Sequence, residues 1–146
     1  MSKKEKKEVT LYSDGSSLGN PGAGGWGTIL EYKGKEKELS GGEANTTNNQ
    51  MELTAVIRGL QELKEPCSVE VVTDSSYVAN AINIWLKNWI AKDFKKVKNV
   101  DLWREYISAA KAHTVRATWV RGHSGHPQNE RCDKLAVDAA KKIKEI

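Results

Sequence analysis

A short strand-like stretch that ends in an acid constrains the fold more than any other feature of the chain. Residues 9–16 read Val-Thr-Leu-Tyr-Ser-Asp-Gly-Ser, and side chains alternate between the two faces of a strand. Gly15 breaks the pattern and lets the chain turn. Asp14 is therefore predicted at a strand end, where open α/β sheets commonly place their chemistry. An Asp before a Gly is usually only turn chemistry, so Asp14 gains a role only if other carboxylates converge on it.

Strand and helix patterns then follow one another in a definite order. Four further strands are predicted, at residues 28–32, from 36 to 39 onward, at 69–73 and at 115–120. Four helices are predicted, one capped by Thr47, one by Ser75 or Ser76, one over about Asp101–Ala112 and one that holds Asp133. The order β-β-β-α-β-α-α-β-α predicts an α/β fold, with a mixed five-stranded sheet and helices on both faces.

Three glycines match the G-x-G-x-x-G spacing of dinucleotide-binding loops, namely Gly22, Gly24 and Gly27. That fingerprint must open a helix. Here it runs into residues 28–32, which have the composition of a strand. A dinucleotide site is therefore not predicted.

The composition suits one cytoplasmic domain. The chain has 146 residues, so residues 1–146 are predicted to form a single domain, with the charged residues 1–7 frayed. No apolar run approaches the length of a membrane span, and no secretory signal is expected. Cys67 and Cys132 fit a reducing compartment without a disulfide framework. A net charge of +4 suits either a polyanion partner or an ordinary basic protein.

Four acids occupy comparable positions along the chain. Asp14 and Asp74 each end a predicted strand, Glu52 lies in the first turn of a helix, and Asp133 lies near the start of the last helix. Carboxylates that converge repel one another unless something neutralises them. Hard divalent cations such as Mg²⁺ prefer oxygen ligands, so a metal site is one reading. Four unrelated surface acids are the other.

Several long motifs in this sequence resemble those of type 1 ribonuclease H, the bacterial ribonuclease HI family, and they come in the family's order. The resemblance runs from Val9 to the last helix and is carried by Ser13-Asp14-Gly15-Ser16, Asn20-Pro21-Gly22, residues 46–52, Thr73-Asp74-Ser75 and residues 122–133.

The resemblance implies a fold, an activity and a set of catalytic residues. The fold would be a three-layer α/β/α ribonuclease H-like fold with strand order 3-2-1-4-5. The activity would be endonucleolytic hydrolysis of the RNA strand of RNA–DNA hybrids by two-metal-ion catalysis with Mg²⁺, or Mn²⁺ in its place, giving 3′-hydroxyl and 5′-phosphate ends. Asp14, Glu52, Asp74 and Asp133 would be the catalytic, metal-binding acids. His123 would assist proton transfer or product release, and the protein would be a monomer.

The resemblance also implies substrate contacts. Short polar side chains at family positions would touch the hybrid: Ser17, Asn20, Thr47, Asn48, Asn49 and Ser76. A basic protrusion would hold the DNA strand: Trp85, Lys87, Trp89, Lys92, Lys95 and Lys96. Ser17 and Ser76 replace the Cys and Gln of the best-known bacterial member, which puts the minor-groove contacts in doubt. Trp85 is predicted mostly in the core and Trp89 more exposed.

Four alternative interpretations stay open on the sequence. A non-catalytic hybrid-binding module would have lost a carboxylate, and none is lost. A related nuclease or resolvase acting on DNA is disfavoured by the Asn-rich stretch before Glu52 and by the His123 loop. A zinc site from His123, His126 and Cys132 lacks a cysteine pair. The basic segment after Trp85 could instead lie on a membrane surface.

Overall fold

The computed structural model describes residues 6–122 and 126–145. Its strands are β1 (Lys7–Ser17), β2 (Gly22–Tyr32), β3 (Lys35–Thr46), β4 (Cys67–Thr73) and β5 (Thr114–Trp119). Its helices are α1 (Asn48–Glu62), α2 (Ser76–Asn80), α3 (Leu86–Ala91), α4 (Val100–Ala110) and α5 (Pro127–Lys144), and a π-helical turn (Ala81–Trp85) joins α2 to α3.

The strands form one mixed sheet in the order β3-β2-β1-β4-β5. β1 is antiparallel to β2 and parallel to β4, and β4 is parallel to β5. A two-residue turn links β2 to β3, and both of its residues have positive φ, 50° at Lys33 and 80° at Gly34, as the tight turns of hairpins require. The predicted α/β fold, strand order and hairpin are confirmed.

Helices cover both faces of the sheet, because neighbouring residues of a strand point to opposite faces. On one face, Thr28 of β2 donates a hydrogen bond to the main-chain oxygen of Ala55 in α1, at 2.6 Å. On the other face, Gly27 lies against the main chain of Cys132 in α5. The main apolar core lies on the α1 side and includes Leu11 and Trp103. The three layers are therefore α/β/α.

Helix α1 begins where the capping-box spacing predicts. Thr47 accepts a hydrogen bond from the main-chain N–H of Gln50 at 3.2 Å, and the Gln50 side chain accepts one in return from the N–H of Thr47 at 3.2 Å. This reciprocal pair fixes the start of the helix. Glu52 follows as the fifth residue of α1, just past the first turn, so its predicted place in the first turn is wrong by one position.

Two strands begin earlier than the sequence predicts. Lys7 is not frayed, because its backbone pairs with Cys67 in β4 and its ammonium group lies 3.1 Å from a Glu65 carboxylate oxygen. Residues 1–5 lie outside the described part of the chain. β2 begins at Gly22, so the glycine-rich stretch is itself strand.

The predicted burial of two tryptophans is wrong. Trp85 is 38% exposed, whereas Trp89 is half-buried and its ring centroid lies 5.4 Å from that of Trp103 in the core. Trp85 covers the outside of Trp89, at 5.9 Å between centroids. The π-helical turn explains the difference, because its extra residue rotates the following positions relative to an unbroken α-helical stripe.

None of the helices in residues 6–122 and 126–145 combines the length and the apolar character that a membrane span needs.

Candidate active site

Three carboxyl groups meet at one end of the sheet. β1 and β4 are parallel neighbours, with Ser13 paired to Thr73, so Asp14 and Asp74 follow at the same edge. Glu52 reaches this edge from just past the first turn of α1. Each of the three offers a carboxylate oxygen, and these oxygens lie within 4.8 Å of one another. We refer to Asp14, Glu52 and Asp74 as the acidic cluster.

The fourth predicted acid stands beside the acidic cluster and outside it. Asp133 is half-buried on α5 and lines the same small pocket as Asp14 and Asp74. Other side chains that line this pocket are Arg121, His126, Asn129 and Glu130. His123 lies outside the described residues.

Burial and mutual repulsion dominate the electrostatics of the cluster. Asp14 is 7% exposed and Glu52 is 8% exposed. Burial, followed by the charges of Asp74 and Asp133, raises the pKa of Asp14 to about 7. Burial and the Asp14 charge hold the pKa of Glu52 well above its usual range. The two side chains share a hydrogen bond that favours the proton on Glu52 and the charge on Asp14.

The residues of the cluster fit a hard divalent cation. All their donor atoms are carboxylate oxygens, the ligands that Mg²⁺ and Mn²⁺ prefer. Among the described residues, Glu52 Oε2 is buried and has no hydrogen-bond partner. A buried oxygen without a partner is costly, and a bound cation would satisfy it.

The zinc alternative finds no support in the described residues. Cys132 is fully buried, and the nearby backbone of Ile29 in β2 is its hydrogen-bond partner. His126 instead lines the acidic pocket. Within residues 6–122 and 126–145, the acidic cluster is the only group of three or more such side chains arranged to hold a metal.

Three hydrogen bonds hold the end of β4 that carries Asp74. Val72 O accepts from Asn129 Nδ2 at 3.1 Å, and Thr73 O accepts from the main-chain N–H of Val120 at 2.9 Å. The main-chain oxygen of Asp74 accepts from Trp119 Nε1 at 2.9 Å. Neither Asn129 nor Trp119 is among the site residues predicted from the sequence. Asn129 stands in a quoted motif, but no sequence signal marks Trp119.

The predicted minor-groove residues cluster around the start of α1. Asn20 Oδ1 accepts a hydrogen bond from the main-chain N–H of Asn48 at 3.2 Å. Ser17 Oγ donates to the main-chain oxygen of Thr46 at 3.5 Å. Thr47 caps the helix, and Asn48 and Asn49 are exposed. Ser76 is exposed separately, at the first position of α2.

The predicted basic residues lie on α3 and on the loop that follows it. Lys87 is on α3, and Lys92, Lys95 and Lys96 occupy the loop before α4, all of them exposed. Trp85 precedes α3 and is exposed beside them in sequence. At the end of the loop, Asn99 Oδ1 accepts a hydrogen bond from Gln50 Nε2 at 3.2 Å. This contact connects the basic loop to the first turn of α1, the helix that carries Glu52.

Comparisons with known proteins agree on one family. The family model described as RNase H matches residues 6–141. A ribonuclease H of Sulfurovum sp. (strain NBC37-1) is 68% identical over 144 residues, which are 99% of this chain and 98% of that protein. A ribonuclease HI of Helicobacter pylori is 55% identical over 139 residues, covering 94% and 97% of the two chains.

Solved structures show the same fold. LC9-RNase H1, a type 1 RNase H with the type 2 active-site motif, matches with a TM-score of 0.88 and 33% identity, over 97% of this chain and 75% of that chain. RNase H1 of Halobacterium salinarum NRC-1 matches with a TM-score of 0.68 and 27% identity, over 92% and 98%. The chain therefore belongs to the ribonuclease H family, whose members hydrolyse the RNA strand of RNA–DNA hybrids.

Proposed function

We propose that this chain is an endonuclease that hydrolyses the RNA strand of RNA–DNA hybrids at the acidic cluster. The observation that carries the proposal is the convergence of two buried carboxyl groups and a half-buried one, whose oxygens lie within 4.8 Å of one another, on a ribonuclease H fold. Such a cluster lowers the stability of the folded protein, because burial and like charge both oppose ionisation of the carboxyl groups. Strongly perturbed carboxyl groups in a small pocket are typical of a catalytic site.

Asp14, Glu52, Asp74 and Asp133 would hold two Mg²⁺ ions, or Mn²⁺ in their place. When bound, such ions lower the pKa of water, which makes it a nucleophile, and stabilise the leaving oxygen of a phosphodiester. Asp14 and Glu52 would give up their remaining protons as the cations bind. The products would carry 3′-hydroxyl and 5′-phosphate ends.

The protein's own groups orient these ligands. Trp119 and Asn129 hold the backbone on either side of Asp74 through the bonds of 2.9 and 3.1 Å described above. The capping pair of Thr47 and Gln50 fixes the turn that carries Glu52. His123 would move a proton or assist product release, since its usual pKa suits that task near neutral pH.

The polar residues around the start of α1 would read the RNA strand. Discrimination between RNA and DNA requires contacts to the 2′-hydroxyl, and short polar side chains beside the acids suit this. The residues in question are Ser17, Asn20, Thr47, Asn48, Asn49 and Ser76. Asn48 and Asn49 are exposed in the first turn of α1, and the same helix carries Glu52.

The basic loop would bind phosphates of the DNA strand. The residues in question are Lys92, Lys95 and Lys96 of the loop, together with Lys87, Trp85 and Trp89, and all four lysines are exposed. Because Trp89 is half-buried on Trp103, Trp85 is the tryptophan available to the substrate. We further propose that the protein acts as a cytoplasmic monomer.

A cleavage assay tests the proposed function. A hybrid with end-labelled RNA is incubated with and without Mg²⁺, beside matched RNA–RNA and DNA–DNA duplexes. We expect Mg²⁺-dependent cutting of the hybrid alone. Binding of the hybrid without cutting would favour a non-catalytic module, and cutting of the DNA duplex would favour a related DNA nuclease.

Asp14→Asn should abolish most cleavage and stabilise the metal-free protein. The folded-state pKa of Asp14, about 7, lies above its ordinary value of 3.8, so its protonated form favours folding, and stability is lost as the pH rises from about 4 through 7. Removing the charge should therefore raise the unfolding free energy by about 2–4 kcal/mol at pH 8, since one pKa unit is worth about 1.4 kcal/mol. The gain should be smaller at pH 5.

Thermal melts in EDTA at both pH values measure this gain. Asp138→Asn is the matched control, because Asp138 is exposed on α5, and it should change neither the melting temperature nor cleavage. A metal-free Asp14→Asn protein that melts at or below the wild-type temperature at pH 8 would contradict the repulsion.

Replacing the loop lysines should change the salt dependence of hybrid binding. In the inactive Asp14→Asn background, the triple change of Lys92, Lys95 and Lys96 to Ala should weaken binding and flatten the plot of log affinity against log salt by about 0.9 per lost phosphate contact. Fluorescence anisotropy over a salt series measures the slope. The triple change of Lys141, Lys142 and Lys144 to Ala removes the same charge from exposed positions at the far end of α5. An equal slope for both triple variants would rule out a specific phosphate-binding loop.

A further inference from the structure

Helix α5 packs on the sheet through very small residues. A Cβ atom added to Gly25 would lie 2.2 Å from the main-chain oxygen of Ala136, and one added to Gly27 would lie 2.5 Å from that of Cys132. Glycine on the strand therefore lets the helix backbone touch the sheet. Ridges of side chains normally fix how one element turns on another, and a surface of glycine and alanine offers few of them. Other contacts must set the rotation of α5 about its axis.

A three-nitrogen fork from Arg131 supplies such a contact. Arg131 Nη1 donates to Glu36 Oε1 at 2.7 Å, Nε donates to Glu38 Oε2 at 3.2 Å, and Nη2 also donates to Glu38 Oε2. Glu36 and Glu38 are two residues apart on β3, so they point to the same face of the sheet. The side chain of Gln128, one turn earlier on α5, also hydrogen-bonds Glu36. The start of α5 is thus fastened to the edge strand of the sheet.

Asn129 ties the other flank of the same helical turn. Its Nδ2 donates to the main-chain oxygen of Val72 in β4 at 3.1 Å. Arg131 and Asp133 are two residues apart, which on an α-helix of 3.6 residues per turn separates them by about 200°. Arg131 therefore points toward β3, while Asp133 lines the acidic pocket. Any rotation of α5 that moves one of these side chains moves the other.

We propose that Arg131 is a positioning residue that sets the rotation of α5, and thereby the distance of Asp133 from the acidic cluster. The inference rests on the proposed function, in which Asp133 is a metal ligand. The pairing with Glu36 and Glu38 is the Arg131 clamp. Groups that orient metal ligands without touching the ion commonly matter nearly as much as the ligands themselves.

The competing account is an ordinary exposed ion pair. Such pairs contribute little to stability, and the Arg131 side chain is 42% exposed. Two features separate the clamp from that account. Arg131 uses three nitrogens on two carboxylates, which fixes the guanidinium plane as a single contact would not. The clamp also joins α5 to an edge strand, two residues before the pocket acid.

The clamp can be opened from either side. Arg131→Met removes the fork and keeps the aliphatic stem, whereas the double change Glu36→Ala and Glu38→Ala opens the clamp and leaves α5 unaltered. Arg131→Lys keeps the charge and loses the fork. Arg58→Met is the matched control, because Arg58 is 45% exposed and pairs with Glu105 at 3.5 Å on α4.

Calorimetric titration of the metal-free proteins with Mg²⁺ gives a readout that does not depend on cleavage. Both clamp variants should bind Mg²⁺ about tenfold more weakly, the lower end of the effect seen when groups that orient metal ligands are removed. Hybrid cleavage should need correspondingly more Mg²⁺ and approach the wild-type kcat at saturation. Arg131→Lys should fall between, and Arg58→Met should match the wild type.

The outcomes distinguish the clamp from its alternatives. Loss of stability without any change in Mg²⁺ affinity would overturn the proposal and leave a structural ion pair. A defect in Arg131→Met that the double alanine variant lacks would also overturn it, because the clamp would then not be the cause. If the wild type binds Mg²⁺ but cuts no hybrid, the proposed function fails while the affinity comparison still tests the clamp.

Discussion

The burial of carboxyl groups beside one another constrains the structure around them. Asp14 and Glu52 are almost inaccessible to solvent, and Asp74 brings a third carboxylate within 4.8 Å. Desolvation and like charge both raise the cost of ionising them. A protein that relied on stability alone would separate or expose these side chains. The surrounding contacts hold them together instead, as the proposed catalytic role of the cluster requires.

Different elements supply the acids, and each element is fastened close to its acid. Parallel pairing of β1 with β4 puts Asp14 and Asp74 at one edge. The capping pair at Thr47 fixes the turn of Glu52. Trp119 and Asn129 hold the end of β4. These contacts resist the repulsion within the cluster and would preorganise the proposed cation site.

Local patterns account for much of what could be predicted from the sequence. The spacing of Thr47 and Gln50 correctly placed the start of α1. Period-two alternation placed Asp14 in β1, but the predicted strand end there is wrong, because β1 continues through Gly15 to Ser17 in its pairing with β2 and only its pairing with β4 stops at Ser13. The sequence pattern placed Asp133 near the start of the last helix, and the resemblance to ribonuclease H supplied its role as a metal ligand beside the other acids. The structure puts it in the same pocket as Asp14 and Asp74.

Features that depend on tertiary contacts could not be predicted. The burial of Trp85 and Trp89 reverses because a π-helical turn shifts the helix phase, and helical periodicity assumes a constant phase. The glycine-rich start of β2 reads as a loop from the sequence alone, whereas the backbone of α5 packs directly against Gly25 and Gly27 and leaves no room for a side chain there. Trp119 and Arg131 act through partners far away in sequence, at Asp74 and on β3. Pairings of this kind have no local signature.

Proton release on metal binding reports whether the acidic cluster holds protons that a bound cation must displace. Mg²⁺ is titrated calorimetrically into the metal-free protein at pH 6 in buffers of different ionisation enthalpy, which gives the number of protons released. The pKa of Asp14 is about 7 and that of Glu52 is well above its usual range, and carboxylate ligands must be deprotonated to bind a cation. We therefore expect release of about one proton or more. Binding of Mg²⁺ without proton release would show that the cluster is already ionised, and would contradict the raised pKa values of Asp14 and Glu52.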